Sequence, residues 1–438
     1  MNDDDSLPAD VPGGDSIGRA ETAPCPVPEG DAALTVPAPK APPVALQPLA
    51  YQQDIVAYLQ ETEPELWQWA SSVRGRDEFA ASIRTEMLKT HYRLDAEGHP
   101  DLAERCARVA ACLGVTVPVT LYQAAGSVGL NAMLYHSPGE AHIVFSGPIL
   151  SILQGPELDA VLAHELAHHR LWEMQNGDFL VADRLLLAAA NDPRATPSHA
   201  QTARRFRLYT EVFADRGALA GCGELEVAVA ALVKTETGLP QVSATSYLRQ
   251  ADEIFSRENA TTRGLDHPET YIRARALQLW AAGDPALPDW LSATIEGPLA
   301  LDSLDLPGQR RATDLTRRFL AELLLPAWFQ TTTVLAHARA FFPDFTPARK
   351  PDETLVAALR SEDDATREYF CYLLLDFATV DRELEDVPLA AAWQWGERLG
   401  INNRLEKLIT RELGLGKRQL HKITKDAAAM LAKAEGKA

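Results

Sequence analysis

The chain has 438 residues, 46% of them hydrophobic, and its 61 acidic and 42 basic side chains give a formal net charge of −19. A chain this acidic is a poor candidate for binding nucleic acid or an anionic membrane surface. With no apolar run of about 18 residues, no basic-then-apolar start and five cysteines without CxxC spacing, we expect a cytoplasmic protein that does not insert into a membrane.

The N-terminal segment differs in composition from the rest of the chain. Ten of the 29 prolines fall within the first 48 residues, together with eight acidic and only two basic side chains. Such a segment cannot bury enough apolar surface to offset the entropy lost on ordering. We therefore expect residues 1–46 to be a disordered, solubilising tail, with a docking or autoinhibitory role as the alternative.

The sequence after the tail predicts helices and one small β-rich region. Apolar residues recur at helical spacing over 51–92 and 101–113. Segments 115–122 and 142–146 are β-branched and alternating, and 126–133 between them predicts a turn followed by a strand. Because the later segments predict helices alone, the expected fold class is mainly α with a small β-sheet (α+β).

A helix predicted over residues 155–172 carries the pattern His164-Glu165-Leu-Ala-His168. Residues four apart on a helix lie about 40° apart around the axis, so both imidazoles project from one face. At this spacing two ring nitrogens reach one zinc ion, and Glu165 is placed to contact a metal-bound water. The alternative is a buried helix whose histidines are hydrogen-bonded to carbonyl groups.

A second predicted helix, over 203–218, supplies a candidate third ligand. Glu211 and Asp215 are also four residues apart, and their neighbours are apolar. Two carboxylates on a buried face require a cation or a donor, because unpaired burial is costly. Glu211 would complete a His2Glu zinc site, while Asp215 would orient a ligand histidine. The alternative is an exposed acidic pair bonded to Arg207 or Arg216.

Together these motifs resemble those of the zinc endopeptidase family that includes HtpX and the CAAX prenyl proteases (Ste type, gluzincins). That family pairs HExxH with a downstream E-x-x-x-D, as in Glu211-Val-Phe-Ala-Asp215 here. Residues 113–122 are similar to its strand after the first helix, residues 131–133 to its substrate-facing strand, and residues 267–273 to its later HP…R motif.

The resemblance implies a zincin-like domain that hydrolyses peptide bonds of a cytosolic protein or peptide. One catalytic Zn²⁺ would be held by His164, His168 and Glu211, and Glu165 would activate the zinc-bound water and protonate the leaving amine. An oxyanion stabiliser is also expected, with His267, Tyr209 and Arg273 as candidates. Asn131, Ala132 and Met133 would align an extended peptide along an edge strand. Together with Arg273, which is a candidate for both roles, they are the predicted substrate-binding residues.

Three further histidines lie near these motifs. His169 follows the second motif histidine directly and points off the zinc face, so we expect it in a supporting or surface position. His136 and His142 lie near the predicted edge strand, and we expect both to be structural.

Residues 366–415 resemble the helical TerB-type module, which implies an interaction or regulatory region. The usual glycine after the loop aspartate is replaced by Arg382, so Asp381 is predicted as a helix cap rather than a metal ligand. Residues 402–438 carry nine basic against four acidic side chains, which indicates solvated helix faces or a partner-binding tail.

The favoured hypothesis is a zinc endopeptidase that is regulated through its non-catalytic regions. A separate regulator protein would bind its C-terminal helices. The alternative is a catalytically silent, zinc-containing scaffold or stress-response protein, against which the intact Glu165 argues. The predicted organisation is a tail (1–46), a metallopeptidase domain (47–285), a helical linker region (286–350) and an all-α TerB-like domain (351–438).

Overall fold

The computed structural model describes residues 46–73, 77–126, 129–137, 139–257 and 260–436. The predicted tail at 1–46 lies outside these residues apart from Leu46. Over the described ranges the chain is mainly helical with one four-stranded sheet, which confirms the predicted fold class. Within the same ranges, no helix has the length and apolar character needed to cross a bilayer.

Twelve of the described helices belong to the N-terminal two thirds of the chain. They are α1 (Ala50–Thr62), α2 (Pro64–Val73), α3 (Asp77–Thr90), α4 (Pro100–Leu113), α5 (Ile149–Ile152), α6 (Pro156–Glu173), α7 (Asp178–Asn191), α8 (Pro197–Cys222), α9 (Leu225–Thr237), α10 (Ala244–Arg257), α11 (Thr270–Ala281) and α12 (Leu287–Ile295). The helix predicted over 155–172 is therefore present as α6, and the one predicted over 203–218 forms part of α8.

The remaining described helices follow without any strand, as expected for an all-α C-terminal region. They are α13 (Leu306–Leu323), α14 (Thr332–Phe341), α15 (Leu355–Arg360), α16 (Asp364–Thr379), α17 (Val387–Leu399), α18 (Asn402–Leu413) and α19 (Lys417–Glu435). Asp381 caps a short 3₁₀ turn by accepting a hydrogen bond from the backbone N–H of Glu383 at 3.0 Å, which confirms its predicted capping role.

The sheet contains β1 (His91–Arg93), β2 (Val119–Ala124), β3 (Asn131–Ser137) and β4 (Glu140–Ser146) in the order β1-β2-β4-β3. The β2–β4 pair is parallel and the other two pairs are antiparallel. Strand β3 therefore lies at an edge. Strand β1 was not predicted, because its residues continue the helical pattern of α3 and three residues are too few to show a period of two.

The buried apolar residues of the described chain form two large clusters. One is drawn from residues 46–295 and surrounds α6 and α8, and the other is drawn from residues 299–431. The predicted domain boundaries remain predictions, but the HExxH helix and the Glu211 helix share the first cluster.

Helices α6 and α8 approach each other through small residues. A Cβ atom on Gly217 would overlap the Cβ of Ala167, and one on Gly221 would overlap the Cβ of Ala163. The pairing runs in opposite directions along the two helices, which are therefore antiparallel. Without side chains at these two positions the backbones come close enough for short carboxylates on α8 to reach imidazoles on α6.

We expect Gly217→Ala to lower the free energy of unfolding by about 1–3 kcal/mol, because its methyl group must push α8 away from Ala167. Urea unfolding followed by circular dichroism measures the change. The control is Gly436→Ala, where an added Cβ meets its nearest atom at an ordinary 3.5 Å in a helical backbone conformation. Equal stability of the two variants would contradict close packing at Gly217.

Candidate metal centre

Three side chains from α6 and α8 converge with the spacing of ligands to one ion. Nε2 of His164 lies 3.2 Å from Nε2 of His168. The Glu211 carboxylate lies 3.4 Å from His164 Nε2 and 3.6 Å from His168 Nε2. The structure therefore brings together the three residues predicted as metal ligands.

These distances fit a tetrahedral zinc site. Zinc holds nitrogen and carboxylate oxygen at about 2.0–2.2 Å, which separates two ligand atoms by roughly 3.3 Å. The donor set of two imidazoles and one carboxylate is also that of hydrolytic zinc sites with an open fourth position. The residues present thus fit the ion, with no rearrangement of α6 or α8 required.

A buried ion pair supports the ligands from behind. Arg273 on α11 donates two hydrogen bonds to Asp215, from Nε at 2.8 Å and from Nη2 at 2.6 Å. Asp215 in turn lies 3.2 Å from Nδ1 of His164, and Arg273 Nη2 lies 3.6 Å from Glu211. A carboxylate on the second ring nitrogen fixes which nitrogen of His164 faces the ion.

The electrostatics of the cluster favour a cation. Burial raises the pKa of Glu211, but hydrogen bonds from His164 and His267 outweigh it and hold that pKa well below the usual range. Burial lowers the pKa of His164, but Asp215 and Glu211 raise it to about 10. The raised pKa of His164 reflects two buried carboxylates that Arg273 compensates only in part, and a bound metal ion would supply positive charge in place of the His164 proton.

Glu165 is positioned by the sheet. It is buried at 6% exposure and its carboxylate accepts a hydrogen bond from the backbone N–H of Leu134 on β3. Burial raises its pKa to about 7, although the proximity of His164 opposes the rise. Near neutral pH this carboxyl group, which lies beside the candidate ligands, can therefore both accept and release a proton.

The cluster opens into a cavity of about 850 Å³. Its apolar wall is formed by side chains of α9 and α11, including Leu232 and Leu277. Asn131, Ala132 and Met133 on the edge strand also line the cavity, and Met133 is 46% exposed. The structure thus places all three predicted substrate-binding residues of β3 next to the ligand cluster.

Two of the three oxyanion candidates line this cavity, but both are engaged with carboxylates. His267 Nδ1 lies 2.8 Å from Glu211 Oε2, and the histidine side chain is 59% exposed. Arg273 contacts Asp215 through both of its hydrogen bonds. These contacts indicate that Arg273 holds Asp215 and Glu211 in place, whereas the sequence predicted that it would contact the substrate.

The third candidate, Tyr209, does not reach the site. Its hydroxyl donates to Glu296 at 2.6 Å and its ring stacks on Tyr51 at 4.8 Å. Two residues along a helix correspond to about 200° of rotation, so a side chain two positions before Glu211 points to the opposite face of α8. The prediction that Tyr209 takes part in catalysis is therefore wrong, because its side chain contacts Glu296 and Tyr51 and does not line the cavity.

Sequence reasoning missed Trp172, whose ring lies 5.8 Å from that of His168 and lines the cavity. Its position four residues after His168 on α6 was the available signal. The alternative pairing of Glu211 and Asp215 with Arg207 or Arg216 is not what the structure shows, because both carboxylates are buried and the arginine they meet is Arg273.

We expect Asp215→Asn to weaken zinc binding by about 10–100-fold, because the neutral amide no longer neutralises Arg273 or orients His164 as a carboxylate does. Competition with a chromophoric chelator measures the affinity. Asp252→Asn is the matched control, since that carboxylate pairs with Arg275 at 2.8 Å and is 47% exposed. Unchanged affinity in Asp215→Asn would rule out a supporting role.

Comparisons with known proteins agree with this geometry. Residues 96–281 match the family model of peptidase family M48. The chain is 30% identical over 202 residues to the plastoglobule-localized metallopeptidase 48, chloroplastic, of Arabidopsis thaliana, a match covering 41% of this chain and 57% of that relative. No solved structure matches the chain. The matched residues 96–281 contain every candidate ligand, so the family model covers the whole candidate metal centre.

Proposed function

We propose that this protein is a zinc-dependent endopeptidase that hydrolyses peptide bonds of a protein or peptide substrate. The observation that carries the proposal is the position of Glu165, buried beside His164, His168 and Glu211 at the edge of an open cavity. A purely structural zinc site has no use for a carboxylate in that place. The match to peptidase family M48 supports the same activity.

The residues divide the chemistry between them. His164, His168 and Glu211 would hold the zinc ion, which when bound polarises the scissile carbonyl and makes water acidic. Glu165 accepts the proton of the attacking water and then delivers it to the departing amine. The Leu134 N–H holds the Glu165 carboxylate in place through both transfers.

The edge strand is the proposed platform for the substrate. Strand β3 pairs only with β4 among the described strands, so its second side is available to an extended peptide. Backbone pairing along Asn131–Met133 would place the peptide above the ligand cluster. The apolar wall of α9 and α11 would then receive one side chain of that peptide.

His267 is the remaining candidate for contact with the reacting carbonyl. Its exposed ring lines the cavity, and its Nδ1 is fixed by Glu211 at 2.8 Å. Because Nδ1 donates to Glu211, the second ring nitrogen would carry a hydrogen only in the doubly protonated ring, and it is in that form that His267 would donate a hydrogen bond to a developing negative charge.

The proposal also covers the cellular location of the protein and the role of its C-terminal helices. A cytoplasmic location and a regulatory role for the TerB-like helices remain predictions from the sequence. The Arabidopsis relative is named for chloroplast plastoglobules, and that location belongs to that protein. A changed rate of peptide cleavage after deletion of residues 351–438 would support a regulatory role for these helices.

We expect Glu165→Gln to retain zinc and to reduce peptide cleavage by about 10²-fold or more, because the proton acceptor is lost while the ligands are intact. Zinc content by elemental analysis and cleavage of casein or a peptide library provide the two readouts. The control is Glu226→Gln on α9, an exposed position with the same change in charge.

Cleavage by Glu165→Gln at the rate of the unmodified chain would refute the proposed mechanism. Zinc bound by the unmodified chain with no cleavage of any library peptide would instead favour the scaffold alternative. Substrates captured by the Glu165→Gln variant can then be identified by mass spectrometry.

A further inference from the structure

A second group of metal-ligating side chains lies outside the site described above. His169 and Glu173 are four residues apart on α6, as His164 and His168 are, but on a neighbouring face of the helix. His136 on β3 meets them from the sheet. One potential ligand atom from each residue lies within 4.8 Å of the other two.

From this arrangement we propose that His136, His169 and Glu173 form a second site for a zinc-class divalent transition metal. The site would tie the edge strand to the C-terminal end of the active-site helix. It is independent of the proposed peptidase activity, because none of its three ligands belongs to the first cluster.

The distances need only small adjustment to hold an ion. Nε2 of His136 lies 2.7 Å from Oε1 of Glu173, and the rings of His136 and His169 are 5.2 Å apart with an interplanar angle of 31°. Ligands of one tetrahedral zinc ion are separated by roughly 3.3 Å. His136 and Glu173 would therefore separate by roughly 0.6 Å and His169 would turn inward.

Burial of the two histidines distinguishes this group from an ordinary surface ion pair, while Glu173 reaches them from an exposed position with a side chain 36% exposed. The His136 side chain is 5% exposed and His169 is 2% exposed. The Nδ1 atom of His169 is buried and makes no hydrogen bond with any described residue, whereas His136 would bind the ion through Nε2, the atom that faces Glu173. A buried polar atom without a partner requires an explanation, and a bound ion is one of the few that the chemistry allows.

A hydrogen bond between His136 and Glu173 alone would explain two of the three residues. It gives no reason for a second imidazole to be buried against the first, since each of the two tilted rings loses hydration on burial. An ion shared by all three accounts for the whole group. Two imidazoles and one carboxylate select zinc-class ions over magnesium or calcium, which prefer all-oxygen sites.

The second group is separate from the first cluster. The Trp172 ring contacts a histidine of each group, with its centroid 5.8 Å from that of His136 and 5.8 Å from that of His168. An ion at the second site would nonetheless fix β3, which carries the Leu134 N–H and Met133, relative to α6.

Metal stoichiometry of the full chain tests the proposal. The protein is stripped with a chelator, dialysed against buffered Zn²⁺ over a range of free concentrations, and its zinc content per chain is measured. We expect two equivalents for the unmodified chain. Glu173→Gln and His136→Gln should each retain one equivalent, bound by the first cluster.

Matched variants separate ligation from general damage. Glu173→His supplies a ligand at the same helical spacing as His164 and His168, so we expect it to keep two equivalents. His421→Gln and Glu104→Gln change an exposed histidine and an exposed glutamate elsewhere, and both should also keep two. Circular dichroism verifies that each variant is folded before its zinc content is compared.

A single equivalent in the unmodified chain, unchanged by Glu173→Gln, would overturn the proposal and leave the His136–Glu173 contact as a hydrogen bond only. Two equivalents that survive both Glu173→Gln and His136→Gln would overturn it as well, because the second ion would then bind elsewhere. Loss of one equivalent in both variants with its retention in Glu173→His supports it.

Discussion

The close contact between α6 and α8 is the constraint on which the rest of the site depends. Gly217 faces Ala167 and Gly221 faces Ala163, and the two backbones lie so close that a Cβ atom on either glycine would overlap the facing alanine. Larger side chains at these glycines would push α8 away from α6 and move the carboxylates of α8 away from the imidazoles on the facing helix. Here Glu211 lies within 3.6 Å of both ligand histidines. The geometry of the metal centre is therefore set by residues that never touch a metal.

Buried charge is the second constraint, and it follows from the first. Bringing α8 against α6 removes Glu211 and Asp215 from water, which is unfavourable unless opposite charges meet them. Arg273 meets Asp215 with two hydrogen bonds, and the histidines and a zinc ion would meet Glu211. The third helix, α11, is thus required by electrostatics as well as by packing. Its arginine is a part of the ligand shell, although it lies more than 50 residues along the chain from α8.

The active-site helix also organises the sheet edge beside it. One side of α6 presents the ligands, while Glu165 accepts the Leu134 N–H and so fixes β3 at the mouth of the cavity. Another face presents His169 and Glu173 to His136 on the same strand. A single helix thereby positions two candidate ligands, the proposed proton acceptor and the proposed substrate platform.

The sequence by itself predicted helices α6 and α8 from their helical periodicity, three of the four strands from their alternation, and the pairing of His164 with His168 from their spacing along one helix. Glu211 was predicted as the third ligand, but its approach to the two histidines depends on the packing of α8 against α6. The sequence did not place Tyr209, whose direction depends on which face of α8 is buried, nor β1, which is too short to carry a period. Arg273 and His136 acquired their partners only in the tertiary structure. Contacts between residues distant in the chain are decided by how helices and strands pack, and no local pattern encodes that packing.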